Sequence, residues 1–150
     1  MDEHLGESMT IGKHGALKVH AIRLKPGDDL RDELERFTKE NDIQAGFIIT
    51  AVGSLQYASL RLANQLIISN FEGKFEIVSL VGTLSRDGVH LHVAVADETG
   101  KTLGGHVMAN CEIYTTAEVI IGEAIELHFS RETDDQTGYR ELVINPKLER

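Results

Sequence analysis

Gly88 to Met108 reads GVHLHVAVADETGKTLGGHVM, and this stretch decides the fold. Val89, Leu91, Val93 and Val95 alternate with His90, His92, Ala94 and Ala96, the period-2 signature of a strand with one buried face. Residues two apart share a face, so the aliphatic side chains point one way and both histidines the other. Asp97-Glu98-Thr99-Gly100-Lys101 supplies a turn, and a three-residue loop over Glu98 to Gly100 puts glycine in the left-handed conformation such loops require. The segment is expected to form a β-hairpin with Asp97 opposite Lys101 and His92 opposite His106.

That register also sets Val95 against Leu103 and Leu91 against Val107, so the apolar faces match, whereas a slip of one residue sets apolar against polar throughout. Directly opposed Cβ atoms lie about 4.5–5.5 Å apart, and His90 sits two residues from His92 on the same face. His90, His92 and His106 are therefore the candidate metal ligands. Three convergent imidazoles match tetrahedral zinc held by three protein ligands with one position open. Gly104 and Gly105 leave no bulk beside His106. H-x-H is a short pattern, however, and an exposed imidazole needs no partner, so spacing alone leaves both the metal and an unliganded histidine face open.

Charge narrows the partners. Lys and Arg number 15 against 24 Asp and Glu, a formal net charge of −9, with no basic run and no aromatic-basic interleaving. The basic footprint of a nucleic-acid binder is missing, so direct contact with nucleic acid is not expected. No apolar run approaches a membrane span, and the polar start MDEHLGESMT does not resemble a secretory signal. The single Cys111 cannot form an internal disulfide, which fits a cytoplasmic protein. Its expected role is that of a small buried apolar residue.

The remaining pattern builds a sheet around the hairpin. Residues 1–15 lack periodicity and are expected to be a flexible tail ahead of a single domain over 16–146. Ala16 to Lys25 reads as a strand, with Leu17, Val19 and Ala21 on one face and Lys18, His20 and Ile22 on the other. Pro26-Gly27 ends it, and Asp28 or Asp29 caps a helix to about Asn41 whose buried stripe is Leu30, Leu34 and Phe37. Ile43 to Leu55 is nearly continuous in apolar character and is expected to be a central strand covered on both faces. Tyr57 to Ile68 follows as an antiparallel return containing Arg61, which is read as an ion pair at an edge or subunit interface in preference to a contact with an anionic ligand. Asn70 to Gly73 is expected to turn, Lys74 to Leu84 and Ile113 to Ile121 to be strands, and Gly122-Glu123 to turn again. Ile125 to Ser130 and Tyr139 to Ile144 complete an α+β fold: a mainly antiparallel, curled sheet of about seven to eight strands with one principal helix. One helix cannot cover such a sheet, so a homo-oligomer is expected.

GKFEIVSLVGTL (Gly73 to Leu84), DGVHLHVAVADETGKTLGGHV (Asp87 to Val107) and YTTAEVIIG (Tyr114 to Gly122) resemble the plants-and-prokaryotes conserved, or PPC, domain. RLKPGDDL (Arg23 to Leu30), FIITAVGSL (Phe47 to Leu55) and GYRELVI (Gly138 to Ile144) resemble it as well, so the likeness spans about residues 17 to 145. The resemblance implies an α/β fold with helices packed on a mainly antiparallel sheet, and assembly as a homotrimer. Plant members carry the domain fused to AT-hooks. No Arg-Gly-Arg-Pro core occurs here, and the chain looks like a stand-alone member. Such members keep a histidine triplet and resemble metal-binding proteins; His90, His92 and His106 fall on those positions. The family's biochemical activity is not established, so the resemblance carries no reaction.

Three functions follow. The first is a homotrimeric metal-binding protein, with zinc as the metal and hydrolase or lyase chemistry at the open position. Glu76 and Glu118, on neighbouring strands, are candidate general acids or bases, but either also reads as a plain surface or structural residue, and for Glu76 the water-facing reading is preferred. The second is a regulatory or DNA-associated interaction module, by fold-level analogy with the plant members. The third is a small-molecule-binding trimer without catalysis, in which Gly53-Ser54 and Gly104-Gly105 admit a ligand close to backbone.

Overall fold

The computed structural model describes residues 12–147. Eight strands and one helix are found there: β1 (Leu17–Leu24), α1 (Leu30–Glu40), β2 (Gly46–Arg61), β3 (Ser69–Ser85), β4 (Gly88–Ala96), β5 (Thr102–Val107), β6 (Glu112–Ala124), β7 (Leu127–Thr133) and β8 (Arg140–Pro146). Six strands form one antiparallel sheet in the order β1-β6-β2-β3-β4-β5, and β7 and β8 form a separate hairpin. The sheet curls far enough for β5 to return to β2, pairing Leu60 with Val107 and Arg61 with His106. Strands β2, β3, β4 and β5 thus close into a small barrel-like ring. This α+β, mainly antiparallel curled sheet is the expected class. The expected tail over 1–15 lies largely outside the described residues. No described helix is long and apolar enough to cross a membrane.

The hairpin adopts the register read from its alternation: His92 pairs with His106 and Val95 with Leu103. Val89, Leu91, Val93 and Val95 enter the core while the alternate positions face outward. Gly100 has φ +83, the left-handed conformation that the loop geometry demands. Leu60, Val107 and Ile113 join these residues in one continuous core.

Helix α1 starts where Asp29 caps it, its carboxylate accepting from the Asp32 amide at 2.9 Å. The second Asp29 oxygen accepts from the Cys111 amide at 2.8 Å, which ties the helix start to the β5–β6 turn. The buried stripe is Leu30, Leu34 and Thr38, with the Thr38 hydroxyl donating to the Leu34 carbonyl at 2.7 Å. Phe37, expected in that stripe, is only half-buried and sets its ring edge-on to His20.

Four expectations are corrected. Tyr57 to Ile68 is not a return strand: Tyr57 to Arg61 continue β2 past irregularities in its pairing, and 62–68 form the connection to β3. Bulges bend and re-aim a strand, and here the bent β2 serves β6 along most of its length and β5 at its end. Asn70 to Gly73 lie inside β3 because Ser69 to Glu72 pair with β2. Gly122-Glu123 lie inside β6 because β1 pairs with it through Ala124. In β1, His20, Ile22 and Leu24 turn inward, and Val19 is 56% exposed. His20 is held inward by the Glu123 carboxylate, at 2.8 Å. Strand β2 is central, yet Ile49 and Val52 remain exposed, so only one of its faces is covered within the protomer.

Candidate metal centre

Alternation in β4 sends His90 and His92 to the outward face, and the hairpin register brings His106 of β5 opposite His92. Ring centroids are 5.0 Å apart for His90–His92, 5.1 Å for His90–His106 and 5.6 Å for His92–His106. One ring nitrogen from each can be chosen so that all three lie within 4.8 Å of one another. The Nε2 atoms of His90 and His92 are 3.2 Å apart. Two Zn–N bonds of 2.0–2.1 Å at a tetrahedral angle set their nitrogens about 3.3 Å apart, so this pair is already at ligating separation. The His106 Nδ1 is buried and has no hydrogen-bond partner. A buried polar atom without a partner is rare and calls for an explanation.

Electrostatics keeps donor nitrogens available. Burial, then Arg61, His90 and Arg31, push the His106 imidazole down from 6.5 to about 4. Burial first, then His92 and Arg131, lower His90. Both are neutral at physiological pH, the form in which imidazole ligates a metal.

Two clefts flank the triad. The larger, about 720 Å³, is reached from His90 and His106; the smaller, about 430 Å³, from His92 and His106. Arg61 and Asn64 line both. Arg31, Arg131 and Arg140 line the larger one; they come from α1, β7 and β8, far from the triad in sequence, and no local pattern marks them. Arg61 is the member that the sequence singles out, through a charge embedded in an apolar strand.

The other residues considered fall elsewhere. Glu76 lines a separate cleft with Ser54, Lys74 and Tyr114, and Glu118 is an exposed residue paired with Arg23 and Val52. Gly53 is a packing glycine, since a Cβ there would meet the Thr116 carbonyl oxygen at 2.2 Å. Gly104 and Gly105 line the smaller cleft, but each also lies against backbone, a Cβ on Gly105 meeting the Arg61 carbonyl oxygen at 2.9 Å. Cys111 is fully buried, donates to the Ser59 carbonyl at 3.3 Å, and has its thiol pushed up to about 11 by burial. It takes no part in the histidine cluster.

The Plants and Prokaryotes Conserved (PCC) domain matches residues 12–125, most of the chain and all of the hairpin. The chain belongs to this family. As a PPC-domain protein it is similar over 135 residues, at 50% identity, to the bifunctional protein GlmU of Synechococcus sp. (strain JA-3-3Ab), covering 90% of this chain but 22% of that relative. The chain thus spans about a fifth of the length of the GlmU relatives it matches. A Salmonella cholerae-suis (Salmonella enterica) structure superposes with a TM-score of 0.89 at 40% identity, covering 91% of this chain and 99% of that one. A metal-containing protein from Archaeoglobus fulgidus superposes with a TM-score of 0.78 at 26% identity, covering 90% and 99%. The AT-hook motif nuclear-localized protein 8 of Arabidopsis thaliana is 29% identical over 116 residues, 71% of this chain and 30% of that protein. That plant likeness sets nuclear, AT-hook relatives beside the expectation of no direct contact with nucleic acid.

Proposed function

We propose that this PPC-domain protein binds a divalent transition metal, zinc, through His90, His92 and His106, and works as a cytoplasmic homotrimer. The observation that carries the reading is the triad itself: three imidazoles from two strands on one face, two of them at ligating separation and the third with an orphaned buried nitrogen. The metal-containing Archaeoglobus relative supports it. Zinc held by three neutral ligands keeps its full charge, lowers the pKa of bound water and polarises carbonyls, the chemistry of hydrolases and lyases. The chain's own contribution is to hold the His90 and His106 imidazoles neutral and to place guanidinium groups beside the triad. Glu76 and Glu118 stand outside both flanking clefts, so neither is assigned as a base.

Trimer assembly is supported by the outward sheet face, where Val52 is 58% and Val81 54% exposed. Patches of this kind on soluble chains mark interaction surfaces. The free thiol of Cys111 suits the cytoplasm. Elemental analysis of protein purified with zinc supplementation tests the centre: about one zinc per chain is expected, and its loss in His92→Ala. Metal-free wild-type protein removes the proposal.

The plant relatives favour a second reading, a DNA-associated module. A net charge of −9 opposes direct phosphate contact. A gel shift at physiological salt is therefore expected to show no tight complex, and a tight one reverses this choice.

A further inference from the structure

Among the described residues, Arg61 is a half-buried cation without a counter-ion. It lies on β2 directly across from His106 of β5, so the two Cβ atoms are about 4.5–5.5 Å apart. Among the described residues its side chain makes no hydrogen bond and no ion pair. A charge drawn partly out of water costs free energy until a partner compensates it.

The surrounding cations do not supply that partner, and most retain unused donors. Arg131 donates to the neutral Thr83 hydroxyl at 2.9 Å, and Arg140 to the Arg131 carbonyl at 2.9 Å. Of these cations only Arg31 has a carboxylate partner among the described residues, Glu35 at 3.2 Å. Two acids line the same cleft, but each is engaged elsewhere: Asp87 accepts from the Arg131 backbone amide, and Glu141 from the Thr137 hydroxyl. Four guanidinium groups therefore face two carboxylates in a chain whose net charge is −9. The positive charge is local to the triad rather than a property of the surface. Cleft walls lined by one sign of charge concentrate ligands of the other.

We propose that the cleft beside the histidine triad recognises a small organic anion, whose carboxylate or phosphate is bound by Arg61 while another oxygen faces the metal position. This deepens the metal-centre reading and rests on it. The planar guanidinium fork is matched to both oxyanions and binds them through paired hydrogen bonds. Arg61 is paired directly across from a member of the triad, His106, and Arg131 and Arg140 line the larger cleft, where they add charge.

Calorimetric titration of the zinc-loaded, assembled protein tests this, with lactate, inorganic phosphate and lactamide as probes and zinc content measured on the same samples. At least one anion binds in the millimolar range or tighter, and lactamide, the uncharged counterpart of lactate, binds about 10-fold more weakly or worse. Which anion wins separates a carboxylate ligand from a phosphate one. Arg61→Gln weakens the anion by about 10-fold or more with zinc content unchanged, and Arg61→Lys recovers part of the loss. The proposal is overturned if neither anion binds, if lactamide binds equally, or if Arg61→Gln leaves anion affinity intact. A change in oligomeric state alone in Arg61→Gln also overturns it, by assigning Arg61 to an intersubunit ion pair. If wild-type protein holds no zinc, the metal reading fails separately, and phosphate titration on that same protein decides the Arg61 claim by itself.

Discussion

His106 concentrates the chemistry of the centre in one side chain. Its imidazole titrates at about 4 in the folded chain against 6.5 ordinarily, through burial and the neighbouring Arg61. Between those values the unfolded chain binds more protons, so this group makes stability rise with pH. Its contribution is complete above 6.5 and is lost as pH falls through about 4. Thermal melts of metal-free protein are accordingly expected to show a falling midpoint over that acid range, and a shallower fall in His106→Asn. Equal slopes in the two proteins refute the assignment. The grouping of the three histidines on one face was legible in the sequence, because alternation dictates which face a strand residue occupies. The orphaned Nδ1 of His106 was not legible, since burial of a ring nitrogen depends on the residues packed around it.

Among the elements, the closure of β5 onto β2 does most to shape the site. It sets Arg61 opposite His106 and depends on Gly105, where a Cβ would stand 2.9 Å from the Arg61 carbonyl oxygen. Gly105→Val forces the strands apart and is expected to cost about 1–3 kcal/mol, the usual range for overpacking. Chemical denaturation measures that loss, and zinc affinity is expected to fall with it because His106 moves. Unchanged stability shows that the ring tolerates a side chain there. Hairpin β4–β5 was readable because turn chemistry and alternation agree over a short span. The course of β2 past Tyr57 was not: an apolar run shows no period that distinguishes one bent strand from two paired ones, and the long-range partner sets its end.

For the molecule as a whole, the decisive quantity is uncovered apolar surface. Val81 is paired with His92 and 54% exposed, so the apolar face and the triad share one side of the sheet, since cross-strand partners do. Leu66, in the connection over the same region, is 92% exposed and lines the larger cleft. A homotrimer formed through this side brings its subunits together beside the metal position. Sedimentation analysis is expected to find wild type trimeric and Val81→Asp dissociated, because a buried unpaired carboxylate is too costly for an interface. A trimeric variant places the contact elsewhere on the molecule. One helix against a large sheet already foretold an uncovered face, but which face it is could not be read. In β1 the face of Leu17, Val19 and Ala21 lies outside, and the face of His20, which contacts the Glu123 carboxylate, lies inside.

Local sequence determined the hairpin, its register, a helix cap at Asp28 or Asp29 and the grouping of three histidines, since each rests on interactions between residues near in the chain or on side-chain alternation. Tertiary structure alone decided that Arg31, Arg61, Arg131 and Arg140 gather around those histidines. They arrive from four elements separated by up to most of the chain. Only the curling of the sheet and the return of the C-terminal hairpin bring those elements together, and nothing in the spacing of the arginines encodes it.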